Sequence, residues 1–196
     1  MKEIVIASNN AGKLHEIEAI LLPLGMKPIP QSAFSVPEAE EPHPTFVENA
    51  LAKARNAALH SGLPAMADDS GICVSALKGA PGVISARYAG EPKSDERNNQ
   101  KLVAALKGHE DRSAYYFAVL ILLRSADDPQ PLIAEGRWAG TVVETPRGEN
   151  GFGYDPYFLL PDFNQTAAEL DPAKKNLISH RGKALRRLAA LIRERW

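Results

Sequence analysis

An uninterrupted apolar run of seven residues, Phe117–Leu123, constrains this chain more than any other segment. It is only about a third of the length that a membrane-spanning helix needs. It predicts a long buried strand over Ser113–Arg124. A second long strand is expected over Leu132–Val143, and the Asp127-Asp128-Pro129 turn between the two favours a hairpin. Such a hairpin fits poorly into a sheet built only from βαβ crossovers, so an α/β chain with a mixed sheet is expected.

Around these strands the pattern alternates. Glu3–Ala7 reads as a buried strand, and Gly12–Leu24 carries Leu14, Ile17, Ile20, Leu21 and Leu24 at helical spacing. The Pro23–Pro44 segment holds six prolines with Glu38, Glu40 and Glu41, so it is extended or looped. Thr45 and Glu48 form a capping box that opens a helix reaching about His60. Ala65–Ala67 and Ile72–Leu77 read as two strands flanking Asp68-Asp69-Ser70-Gly71, with a turn at Gly79–Gly82. Ser94 or Asp95 caps a helix that stops at Gly108. A short strand is expected at Tyr157–Leu160, and a final amphipathic helix turns Leu185, Leu188, Leu191 and Ile192 inward.

A chain of 196 residues suits one domain, or one domain folded as two lobes around a cleft. A formal net charge of −1 argues against a dedicated nucleic-acid binder, while leaving room for a small anionic ligand. Cys73 is the only cysteine, so no internal disulfide forms, and it reads as a small buried strand residue. The Ile4–Ala7 run is too short for a signal-peptide core, and a cytoplasmic protein without a membrane partner is expected.

Four stretches carry chemistry. Ser8-Asn9-Asn10-Ala11-Gly12-Lys13 joins a strand to a helix whose first amides and positive dipole end attract phosphate. It lacks the spaced glycine of a P-loop, and it equally fits a helix capped by Asn10. Asp68-Asp69 places two carboxylates beside a core, where one can hold Mg²⁺ or activate water; an Asx-type turn is the plainer alternative. In Gly151-Phe152-Gly153-Tyr154-Asp155-Pro156, Phe152 offers a flat face to a base and Asp155 an acceptor, though a hairpin loop fits as well. In Lys174-Lys175-Asn176-Leu177-Ile178-Ser179-His180-Arg181-Gly182, Ser179 is a candidate helix cap. It would set His180 and Arg181 in a first turn, where cations are unfavourable unless they face an anion or carbonyl. A solvent-facing basic turn is the alternative.

In order and spacing, these stretches closely resemble the ITP/XTP pyrophosphatase family. Thr45-Phe46-Val47-Glu48-Asn49-Ala50, Gly79-Ala80-Pro81-Gly82 and Ser85-Ala86-Arg87-Tyr88 extend the likeness over nearly the whole chain. Ser8 stands where threonine is frequent, and His43-Pro44 replaces a glycine-rich run. The resemblance implies an elongated mixed sheet with flanking helices and two lobes around a central cleft, in a homodimer. It implies Mg²⁺-dependent hydrolysis of ITP, dITP and XTP to monophosphate and pyrophosphate. Ser8–Lys13 would bind triphosphate, Asp69 would be general base and metal ligand, and Ser70 would touch substrate. Phe152, Gly153, Tyr154 and Asp155 would line the base and sugar pocket, with Lys175, His180 and Arg181 reading the base. Glu40 is the expected second metal carboxylate and Glu41 the fallback. A pyrophosphatase for other modified nucleotides, or a non-catalytic nucleotide sensor, are the rival readings.

Overall fold

The computed structural model describes residues 1–10 and 12–196; the expected phosphate contact of Ala11 lies outside the described residues. One mixed seven-stranded sheet runs in the order β2-β1-β3-β4-β5-β6-β7, flanked by five α-helices. β1 (Lys2–Ile6) pairs in parallel with β2 (Met26–Pro30) and β3 (Ala65–Val74), with Lys2 opposite Met26 and Val5 opposite Ala65. β4 (Ser113–Leu123) and β5 (Leu132–Val142) are neighbours, as the hairpin reading required. β6 (Phe158–Leu160) and β7 (Gln165–Thr166) close the other edge in antiparallel pairs.

The chain divides into two compact units. The first holds Met1–Asp69, Ala118–Gly136 and Lys183–Trp196; the second holds Ser70–Phe117 and Arg137–Gly182. In the first unit, Ile17 and Leu21 of α1 (Ala11–Leu21) and Leu185, Leu188 and Ile192 of α5 (His180–Arg195) form one cluster. They pack with Ile4, Ile6, Met66, Leu120 and Leu122 of the strands. Each fully buried leucine there contributes about 1.5–3 kcal/mol of transfer free energy. Residues 118–123 of β4 are buried without alternation, which explains the apolar run. α2 (Phe46–Ser61) starts as expected, with the Thr45 hydroxyl accepting from the Glu48 amide, and lies against β1.

In the second unit, α3 (Asp95–Ala105), capped by Ser94, buries Leu102. It packs there with Ile72, Val74, Tyr116, Trp138, Tyr154 and Phe158. Asn98 accepts from the Ala89 amide and donates to the Ala86 carbonyl, pinning the Ser85–Tyr88 stretch as a tight turn. Among the described residues, no helix is long and apolar enough to cross a membrane.

The proline-rich segment, read as extended or looped, contains the extended strand β2, where prolines are tolerated because it is an edge strand whose outer amides need no partner. Two expectations change. Asp68–Gly71 does not break two strands apart, for β3 runs through it without interruption. A short helix, α4 (Pro172–Ile178), capped by Asp171, carries Lys174 and Lys175.

Candidate functional site

The first unit gathers a charged cluster at β3. Desolvating two adjacent strand carboxylates is costly, and each is offset by its own lysine. Lys13 of α1 donates to Asp68 Oδ1 at 2.8 Å. Lys53 of α2 lies 3.0 Å from Asp69 Oδ1 and 3.0 Å from Glu41 Oε1. The lysine of the phosphate turn is therefore already oriented by a carboxylate rather than free in solvent. The Ser8 hydroxyl accepts from the Asn10 amide, and Asn10 Oδ1 accepts from the Lys13 amide, so the turn caps α1. Asn9, Asn10 and Gly12 are exposed beside this helix start, and the first turn of α1 carries no acidic residue.

Burial raises the Asp69 carboxyl above its ordinary range, with Glu41 and Asp68 adding to the effect and Lys53 opposing it. Burial works against the charge on Lys53, but Asp69, Asp68 and Glu41 outweigh it and raise its pKa. Asp69 Oδ2 is buried and has no hydrogen-bond partner among the described residues. A buried carboxylate oxygen left in that state fits a hard cation. No group of three or more histidine, cysteine, aspartate or glutamate side chains forms a self-sufficient metal cage among the described residues. Mg²⁺ is commonly held by one or two carboxylates, with water and phosphate in its other positions. Glu40, the expected second carboxylate, is exposed, and the fallback Glu41 shares Lys53 with Asp69. Lys53 escaped the sequence reading because it sits in the middle of an ordinary helix.

The second unit gathers the other set. The Ser179 hydroxyl accepts from the Gly182 amide, so Ser179 caps α5 and His180 and Arg181 occupy its first turn. A Cβ on Gly182 would collide with the Asn176 carbonyl oxygen, so glycine is required where α4 meets α5. His180 and Arg181 are buried, which removes the reading of a solvent-facing basic turn. Arg181 reaches the Ser70 hydroxyl at 3.4 Å. The His180 ring stacks on Tyr116 at 4.7 Å and 10°, with Trp138 alongside at 6.4 Å and 18°.

Phe152 is 55% exposed, with the Lys175 ammonium 5.0 Å from its ring centre. Asp155 and Tyr154, expected to line a pocket, are turned inward. The buried Asp155 carboxylate accepts from Lys175 at 2.5 Å, from the Phe152 amide at 2.9 Å and from the Tyr116 hydroxyl at 3.2 Å. An ionised carboxylate is an acceptor only, and most of this one's capacity is spent holding the loop. Tyr154 packs in the core and donates to the Ser85 carbonyl at 2.7 Å. Gly153 is fixed through its amide to Asp95 and through its carbonyl to Asn99. Gly151, at φ +79°, leaves no room for a Cβ beside the Asp155–Lys175 pair.

Known proteins resemble this chain in both sequence and fold. Residues 4–191 match the profile of the Ham1 family. A dITP/XTP pyrophosphatase of Nitrosomonas europaea is 64% identical over 99% of this chain and 96% of its own length. A protein of the same name from Aromatoleum aromaticum is 65% identical over 96% of each. Among solved structures, a HAM1 protein from Coxiella burnetii superposes with a TM-score of 0.96 at 52% identity, covering 99% of this chain and 100% of its own. The Staphylococcus aureus Ham1 protein follows at 0.91 and 41%, covering 100% of both chains. Matched end to end in sequence and in fold, the chain belongs to the Ham1 family.

Proposed function

We propose that this protein is a pyrophosphatase of ITP, dITP and XTP, releasing pyrophosphate and leaving the monophosphate. The observation that carries the reading is Asp69: a buried carboxylate with one oxygen on Lys53 and the other without a hydrogen-bond partner among the described residues, on the strand beside the Lys13–Asp68 pair. The names of the relatives, dITP/XTP pyrophosphatases, support the substrate class. The whole chain, residues 1–196, acts as one pyrophosphatase domain. Ser8–Lys13 takes the phosphates, and Phe152, Lys175, His180 and Arg181 take the base.

Mg²⁺, held by Asp69 and Glu41, would neutralise phosphate charge and favour ionisation of water. Lys13 and Lys53 bring further positive charge to the transferring group, where positioning and electrostatics supply most of the catalysis. Asp69, with its raised proton affinity, takes the proton of the attacking water at the α-phosphorus. His180 and Arg181 donate to a 6-oxo purine, and adenine's 6-amino group would meet donor with donor. An unpaired buried donor of this kind rejects a wrong base by roughly 10⁴-fold. Phe152 stacks on the base, Ser70 contacts the substrate beside Arg181, and Lys175 completes the base site. Asp155, Tyr154 and Gly153 shape that site rather than touch the ligand. The working form is taken to be a cytoplasmic homodimer acting on free nucleotides, without nucleic-acid or membrane partners.

The test is pyrophosphate release measured with dITP, XTP, GTP and ATP, with and without Mg²⁺. Fast metal-dependent release from dITP and XTP, with ATP poor, is expected. Equal turnover of all four would overturn the substrate assignment.

A further inference from the structure

Tyr116 sits where two halves of the base-binding set meet. Its ring lies flat against the His180 imidazole, 4.7 Å between centres and 10° from parallel. Its hydroxyl donates to Asp155 Oδ1 at 3.2 Å. The other oxygen of that carboxylate accepts from Lys175 at 2.5 Å and from the Phe152 amide at 2.9 Å. Trp138 and Phe158 pack against Tyr116 at 6.4 and 4.6 Å, so the ring cannot swing away from this position. Asp155 can only accept, so the hydroxyl proton has one direction to point.

From this geometry we propose that Tyr116 is the positioning residue for base recognition, setting Lys175 and Phe152 through Asp155 and His180 through its ring. The proposal rests on the pyrophosphatase reading and deepens it. Rotation about His180 χ2 would break the stack and aim the imidazole nitrogens elsewhere. Tilt of the Asp155 carboxylate would shift the Lys175 ammonium and the Phe152 loop together. Burial, with the Asp155 charge adding to it, holds the phenol well above its ordinary pKa, so it remains a donor throughout the range in which the enzyme is assayed. The contacts described for Tyr116 are with Asp155, His180, Trp138 and Phe158, so its influence is expected on the base and not on the triphosphate.

Two substitutions separate the two functions. Tyr116→Phe keeps the ring and removes the hydroxyl. KM for dITP and XTP should rise about tenfold, the scale of one hydrogen bond to a charged group. With kcat preserved to within about twofold, inhibition by inorganic tripolyphosphate, which has no base, should stay unchanged. Tyr116→Leu removes the stack as well and should also narrow the preference for dITP over dATP, while Tyr116→Phe retains it. The affinity for IMP, measured by calorimetry on the same proteins, follows base recognition without turnover. Unchanged KM and IMP affinity in Tyr116→Phe would overturn the proposal. Equal weakening of dITP and tripolyphosphate would also overturn it, by making Tyr116 a general structural residue. A wild-type protein that neither hydrolyses dITP nor binds IMP would remove the pyrophosphatase reading itself, and this proposal with it.

Discussion

Replacing Lys53 with methionine keeps most of the side-chain volume and removes the cation that joins Asp69 to Glu41. The lysine lies 3.0 Å from both carboxylates, and the side chains of Lys53, Asp69 and Glu41 are 14%, 9% and 29% exposed. Breaking a fully buried ion pair by removing one partner costs about 3–5 kcal/mol, because the remaining charge is stranded. Partial access of water to Glu41 lowers that figure here to about 2–3 kcal/mol. For a chain of this size the loss corresponds to a fall in Tm of about 5–10 °C.

The measurement is thermal unfolding of both proteins in a metal chelator, at about pH 8 and about pH 5. Burial already raises the Asp69 pKa, and losing Lys53 raises it further. A carboxyl with a folded pKa above its unfolded value binds protons more tightly when folded, so its stability penalty grows as pH rises and is relieved as pH falls. The gap between variant and wild type should therefore narrow toward about pH 5. Excess Mg²⁺ should narrow it too, because a ligand bound by the folded state alone stabilises it by mass action. An unchanged Tm at about pH 8 in chelator would contradict this, since a buried and a half-buried carboxylate cannot lose their shared cation at no cost.

Asp69→Asn should keep the fold and lower kcat by roughly 10²–10⁴-fold, the scale for a lost general base; steady-state kinetics with dITP would check it. Arg181→Ala should raise KM for dITP and XTP by about 10- to 100-fold and leave ATP nearly unaffected, because only the 6-oxo substrates lose a bond; parallel kinetics on the three nucleotides separate these outcomes. Asp128 accepts from the Arg124 and Gln130 amides at 2.9 Å each. Burial works against its ionisation, but these amides and the Arg124 guanidinium outweigh it and hold the carboxyl below its ordinary range. Its contribution is thus present at neutral pH and lost as pH falls through the folded pKa. Asp128→Ala should cost about 1–3 kcal/mol at neutral pH and less in acid, measured by denaturant unfolding.

What the sequence made legible was local. The Phe117–Leu123 run could only be buried, and the capping box at Thr45 acts within four residues, so both could be read directly. Ser179 as a helix cap belongs to the same class. The continuity of β3 through Asp68 and Asp69 was hidden because their charges are offset from afar. Lys13 is 55 positions from Asp68, and Lys53 is 16 from Asp69. Glu40 and Glu41 are adjacent in an extended segment, and only the position of Lys53 distinguishes them. The inward commitment of Asp155 depended on Tyr116, 39 positions earlier, in a strand that reads as generic core. The prolines around β2 left extended and looped backbone both open, and its place at the sheet edge is what lets the strand form there.

Water attack on the α-phosphorus, directed by Asp69, is decided by hydrolysing dITP in ¹⁸O-labelled water and weighing the products. Label should enter dIMP and be absent from pyrophosphate. Label in pyrophosphate would place the attack on the β-phosphorus, and orthophosphate with dIDP would place it on the γ-phosphorus; either result excludes attack on the α-phosphorus.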